Sequence, residues 1–197
     1  FVVSTSRAYP GFDPGLADIY LGPESYTLAN HLQRAAFALA STGNALDLCT
    51  GSGIAAQSLA AIRRGLIWKG VDLSPQAVEA ATFNAMLNDV HERYCALEGD
   101  LYGPVDGQHF QVIVANPPFI PVPDGTDFPA YGAGGDDGQS VLRPLLAGLP
   151  GHLAPSGRAI VYAEGLAIDG LPVVLELLEP LARAGYSIGL TITSMIP

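Results

Sequence analysis

The sequence predicts a doubly wound α/β domain, and three observations carry that expectation. Short apolar runs alternate with helical patterns along the chain. The runs are nearly continuous rather than alternating, as in parallel strands covered on both faces. Glycine- or proline-rich turns follow the ends of two of them, where an open α/β sheet places its ligands. At 197 residues, 49% of them hydrophobic and 14% charged, the chain is long and apolar enough for one domain with a substantial core.

The elements follow in order. Leu28, Leu32, Ala35, Ala36 and Leu39 fall on one face of an amphipathic helix, with Pro23 in its first turn and Glu24 beside the positive end of its dipole. "ALDLC" (45–49) reads as the first strand, "TGSG" as its turn, and a helix runs on through Arg64. "LIWKGVD" (66–72) is the second strand. Ser74 caps, and Pro75 opens, a helix to about Asn88. "YCALE" (94–98) and "FQVIVA" (110–115) are the third and fourth strands. Residues 116–138 form a Pro- and Gly-rich loop too long for a plain connector, which makes it a candidate functional segment. A helix is expected from about Ser140, kinked or delayed at Pro144, then a strand at 158–164. A helix over 172–184 with Pro172 in its first turn and a strand over 186–196 complete the pattern.

Nine basic against nineteen acidic residues give a net charge of −10, which argues against a nucleic-acid partner. Charge, Gly or Pro interrupts every apolar stretch before the ~18 residues a membrane span needs, and no signal peptide is visible. Cys49 and Cys95 have no metal-binding spacing, so no metal site is expected and a reduced, cytoplasmic protein is.

The chemistry concentrates at two strand ends. In "DLCTGSGIAA", Gly51 and Gly53 let backbone approach a ligand where a β-carbon would clash. Asp72 ends the second strand twenty-one positions after Gly51, where its carboxylate can take the ribose hydroxyls of an adenosine-bearing cofactor. Gly51-x-Gly53-x-x-Ala56 also satisfies the dinucleotide fingerprint, so a nicotinamide-dependent oxidoreductase stays open at this point.

"VIVANPPFIP" (112–121) runs a buried strand into an amide and two prolines. Pro117 holds Asn116 in extended backbone. Neither Pro117 nor Pro118 has an N–H, so this rim presents carbonyl acceptors, and Asn116 adds a side-chain carbonyl. Two converging acceptors suit an NH₂ group, and Phe119 offers a flat face for a planar one. A planar nitrogen is a poor nucleophile because its lone pair is delocalised. Acceptors that hold both its hydrogens grip harder as the nitrogen turns positive, so no metal and no strong base is required. His31, His91, His109 and His152 therefore read as surface or packing residues.

"LDLCTGSG" resembles the first motif of class I S-adenosylmethionine-dependent methyltransferases, usually Asp-x-Gly-x-Gly-x-Gly, with Cys49 at the first glycine. "NPPF" resembles the (Asn/Asp/Ser)-Pro-Pro-(Tyr/Phe) motif of methyltransferases acting on planar nitrogens. These include DNA and ribosomal RNA base enzymes and the HemK-type protein-glutamine enzymes. "GGDDG" with Arg143, and "GPES" (22–25), resemble segments of the HemK-type branch.

The resemblance implies S-adenosyl-L-methionine as cofactor, held by Asp47, Cys49, Thr50, Gly51, Gly53, Asp72, Leu73, Asp100, Leu101 and Asn116. It implies Asn116, Pro117, Pro118 and Phe119 as the catalytic segment. It covers about residues 20–190, so the expected organisation is an extended lead-in (1–20) and a catalytic domain (21–197). Only the first member of the family's final antiparallel strand pair is expected, at 186–196. The expected acceptor is a protein glutamine or a small molecule, with a ribosomal RNA or DNA base amine as the alternative.

Overall fold

The computed structural model describes residues 19–168 and 170–192. Two compact units divide at Glu164/Gly165. In the first, β1 (Thr42–Leu48), β2 (Gly65–Asp72), β3 (Tyr94–Glu98), β4 (Phe110–Ala115) and β5 (Leu153–Val161) form one sheet in the order β3-β2-β1-β4-β5. Every pairing in it is parallel. This is the doubly wound sheet the sequence predicts.

From β1 the chain builds outward through β2 and β3, then crosses back to lay β4 on the other side of β1. The order reverses between β1 and β4, where ligands of such sheets bind. Leu48 pairs with Ala115 there. The segments that begin at Cys49 and Asn116 therefore leave the sheet side by side, one strand spacing apart, about 4.8 Å.

Both faces of the sheet are buried at its centre. Ala45, Leu66, Trp68, Val112 and Val114 pack in one cluster with Leu28 and Leu32 of α1 (Pro23–Ala35), Leu59 of α2 (Ile54–Ala60), and Ala81 and Ala85 of α3 (Pro75–Leu87). Leu46, Leu48, Ile113 and Ala115 alternate with these and are equally inaccessible. The alternation explains why the strands read as unbroken apolar runs.

Several boundaries shift. α1 tightens into a 3₁₀ turn at Ala36–Ala38, which still brings Leu39 into the core. α2 closes at Ala60 rather than Arg64, and the Arg63 guanidinium donates to the Ala36 carbonyl. The Ser74 hydroxyl caps α3 by accepting the Ala77 N–H at 3.3 Å, as expected. α4 (Leu142–His152) starts just before Pro144, which falls in the first turn where an N–H has no helical partner to lose. β5 begins earlier than the sequence suggests because its register jumps between Phe110↔Leu153 and Val112↔Arg158, around Ser156 with φ +61°.

The second unit holds a two-residue hairpin, β6 (Ala167–Ile168) against β7 (Leu171–Pro172), and α5 (Val174–Arg183). Pro172 lies in β7 rather than in the first turn of the helix. Of the strand expected at 186–196, residues 186–192 form no ladder with any of the described residues. Residues 193–196 and the lead-in 1–18 lie outside the described residues. Among the described residues, no helix is long and apolar enough to cross a membrane.

Candidate active site

The site grows from four strand ends, beginning with Asp47 on β1. Its carboxylate is 1% exposed and accepts the Thr50 hydroxyl at 2.7 Å and the Ala56 N–H at 3.3 Å. Tyr94, from β3, hydrogen-bonds the Thr50 oxygen at 2.8 Å. The three groups form a buried chain behind the glycine loop. Burial pushes the Asp47 pKa up to about 7, and the bonds from Thr50 and Ala56 pull the other way. Asp47 and Thr50 thus hold the loop from beneath rather than facing outward.

The loop has the backbone its residues suggest. Gly53 caps α2 with φ +80°, and a β-carbon there would strike the Gln57 side chain. Gly51, φ +53°, is different: a β-carbon added to it would meet nothing within 4 Å. It opens on a space that backbone can line and a ligand can approach. Cys49, half-buried and unbonded to Cys95, also has a left-handed φ of +55°. Burial raises its thiol pKa, and the carboxylates of Asp72, Asp47 and Asp100 add to the effect, so it stays a neutral thiol. The parallel register itself sets the ends of β1, β2 and β3 side by side.

Asp72 ends β2. One carboxylate oxygen accepts the Gly51 N–H at 2.8 Å and the other the Ser74 N–H at 3.0 Å. Each oxygen keeps a second lone pair, so the residue can pin the loop and still receive a pair of hydroxyls. Burial raises its pKa, against the opposing backbone bonds. Leu73 beside it is 71% exposed, a broad apolar surface at the rim. The turn after β3 is tied to β2 by Gly99 N–H donating to the Asp72 carbonyl at 2.9 Å. It presents an exposed Asp100, and Leu101 with φ +42°. These positions suit an adenosine-bearing group: an open glycine, a doubly anchored acid and an apolar shelf.

Across the switch point stands Asn116, half-buried, with Pro117 fully buried behind it. The Asn116 Oδ1 is buried and accepts no hydrogen bond from the described residues. Such an oxygen costs about 1–3 kcal/mol in an otherwise satisfied fold. Phe119 leans on Tyr162 with ring centroids 6.1 Å apart and planes 56° apart. Tyr162 follows β5, and its N–H donates to the Ala115 carbonyl at 2.9 Å.

The 116–138 segment, expected as a loop, folds back on itself. Ile120 N–H donates to the Gly132 carbonyl, Gly134 N–H to the Ile120 carbonyl and Val122 N–H to the Gly135 carbonyl, each at 2.9 Å. Gly138, φ +74°, lies so close that a β-carbon would collide with the Phe119 carbonyl. Asp137 pairs with Arg143 at 2.6 Å and accepts the Gln139 N–H at 2.9 Å. The "GGDDG" segment and Arg143 therefore brace the backbone that carries Phe119.

The sequence reading missed several contributors. Tyr20 stacks flat on Tyr131 at 5.0 Å, and Glu24 and Glu164 act electrostatically on both Tyr20 and Tyr162. No periodicity could have joined residues so far apart in the chain. Asn84, whose side chain donates to the Ser52 carbonyl at 2.9 Å, and Gln57 were legible only as polar residues on the inner face of helices.

Residues 21–127 match the methyltransferase small domain. The chain belongs to that family. A release factor glutamine methyltransferase of Rhodospirillum rubrum is 39% identical over 156 residues, covering 74% of this chain and 46% of the relative. A Methanocaldococcus jannaschii protein named for N5-glutamine methylation is 30% identical over 157 residues, covering 77% of this chain and 75% of its own. The chain spans about half the length of the first of these relatives. Among solved structures, the ribosomal protein L11 methylase of Lactobacillus delbrueckii superposes with a TM-score of 0.63 at 24% identity, over 98% of this chain and 93% of its own. That likeness supports the methyltransferase small-domain fold.

Proposed function

We propose that this chain is the catalytic domain of an S-adenosylmethionine-dependent N-methyltransferase of the HemK-like kind, acting on the side-chain amide of a protein glutamine. The observation that carries the reading is the buried Asn116 Oδ1 at the switch point, without a hydrogen-bond partner among the described residues and on the strand next to the one that leads into the open Gly51 loop. The names of the relatives favour a methyl donor over the nicotinamide that the glycine spacing alone also allows.

The bound cofactor supplies an electrophilic methyl on a sulfonium. The chain's own residues do the rest. The Gly51 backbone and the Asp72 carboxylate hold the nucleoside, with Leu73, Asp100 and Leu101 around the base. Asn116 Oδ1 and the Pro117 carbonyl each take one hydrogen of the acceptor NH₂, which fixes the nitrogen's direction of approach. As the nitrogen becomes positive, both oxygens bind it more strongly, and that difference lowers the barrier. The extra proton leaves to water. Phe119 and Tyr162 wall the planar amide, and net charge −10 favours a protein over a nucleic-acid acceptor. The setting in which such a reaction takes place is the cytoplasm.

The test supplies methyl-labelled S-adenosylmethionine and a bacterial release factor. Label is expected on a glutamine of the acceptor and absent when that glutamine is replaced by leucine. Label in RNA or DNA alone, or no transfer to protein despite cofactor binding, would overturn the reading.

A further inference from the structure

Gln139 is the second unexplained polar group near this site. Its residue is 5% exposed, yet its Oε1 is buried with no hydrogen-bond partner among the described residues. The backbone on either side is fully committed. The Gln139 N–H donates to Asp137 Oδ1 at 2.9 Å, and its carbonyl accepts the Arg143 N–H at 3.0 Å. Ser140 N–H donates to Gly134 at 2.8 Å, and Gly134 N–H donates to Ile120 at 2.9 Å. Gly138, the preceding residue, lies against the Phe119 carbonyl. The backbone of Gln139 is thus held next to the segment that carries Asn116 to Phe119, while its buried side-chain oxygen has no partner among the described residues.

A leucine of similar size would occupy such a place without an unmet acceptor, so the carboxamide costs local stability that leucine would not. An unmet buried oxygen next to a binding segment gains its partner when a donor arrives with the ligand. The groups assigned to the cofactor lie after β1, β2 and β3, whereas Gln139 is braced against the segment after β4.

We infer that Gln139 is a second positioning residue, its buried carboxamide oxygen taking an N–H of the bound acceptor beside the amide held at Asn116. This rests on the proposed glutamine-methyltransferase reading. It goes further in assigning a specific contact for the acceptor's own chain.

The test compares the wild-type chain with Gln139→Leu and Gln139→Glu, using release factor as acceptor and S-adenosylhomocysteine as the cofactor probe. For Gln139→Leu the acceptor KM is expected to rise five- to tenfold while kcat changes less than twofold. S-adenosylhomocysteine affinity should stay the same and Tm hold or rise. Gln139→Glu, which keeps an oxygen, should restore KM to within about threefold of wild type. An unchanged KM in Gln139→Leu overturns the assignment, and so does a fall in Tm accompanied by weaker cofactor binding, which would make the amide structural. A wild-type chain that fails to methylate release factor overturns the functional reading itself, and the two failures are told apart by that control.

Discussion

Cys49 carries a β-carbon through a left-handed turn, φ +55°, at the start of the glycine loop. For an L-residue that conformation costs about 1–2 kcal/mol. Glycine removes the clash but gives back about 0.5–1 kcal/mol in chain entropy. Cys49→Gly should therefore be neutral or stabilising by under ~1 kcal/mol, whereas Cys49→Val, stiffer at the β-carbon, should destabilise clearly. Urea denaturation of both variants decides it, and a strongly destabilised glycine variant would mean the thiol makes contacts that matter more than its backbone. Asp72 is the other residue whose part can be isolated. Because it pins the Gly51 N–H as well as facing outward, Asp72→Ala should weaken S-adenosylhomocysteine binding by about 1–3 kcal/mol. Calorimetry showing unchanged affinity would leave it only a backbone brace. Both residues were visible in the sequence from motif and spacing. What spacing could not show is that Asp47 and Thr50 satisfy each other with Tyr94 behind the loop.

At the scale of elements, the braced 116–140 segment turns a flexible-looking stretch into a fixed edge of the site. Gly138 is its tightest point, since any side chain there strikes the Phe119 carbonyl and must also adopt φ +74°. Gly138→Ala should shift the Asn116–Phe119 segment and lower methyl transfer at least tenfold while S-adenosylhomocysteine binding is kept. A variant with full activity would show that the brace is dispensable. The sequence named this stretch functional from its length and its prolines, but not its closed shape, which arises from backbone bonds between residues more than ten positions apart. The same limit explains the other misreadings. β5 starts early because of a bulge at Ser156, and the run at 186–192 forms no strand because strand character belongs to a pair, not to one segment. For the runs that form β2, β3 and β4, sequence and structure agree closely, and this includes β3 at the edge of the sheet.

For the first unit as a whole, the buried Asp47 links stability to pH. Its ordinary value is 3.8 and the folded value about 7, so between these the folded chain binds more protons than the unfolded one. That contribution is complete below about pH 4 and is lost as pH climbs towards 7. Asp72, also raised, acts in the same direction. Denaturant unfolding at several pH values from 4 to 8 should show this loss, and Asp47→Asn should flatten it. An equally steep profile in the variant would place the effect elsewhere, for instance in repulsion within a chain of net charge −10. The order of the sheet does the remaining work by bringing the ends of β1 and β4 together, and with them the glycine loop and an amide oxygen that has no partner among the described residues.

That pairing is tested most directly by Asn116→Ala, measured in parallel for labelled-methyl transfer to release factor and for S-adenosylhomocysteine affinity. Turnover should fall about a hundredfold or more, as when one preorganised polar contact is removed from a reacting centre, with affinity within about twofold of wild type. A variant that loses both in proportion, or keeps its turnover, would contradict the role given to that oxygen.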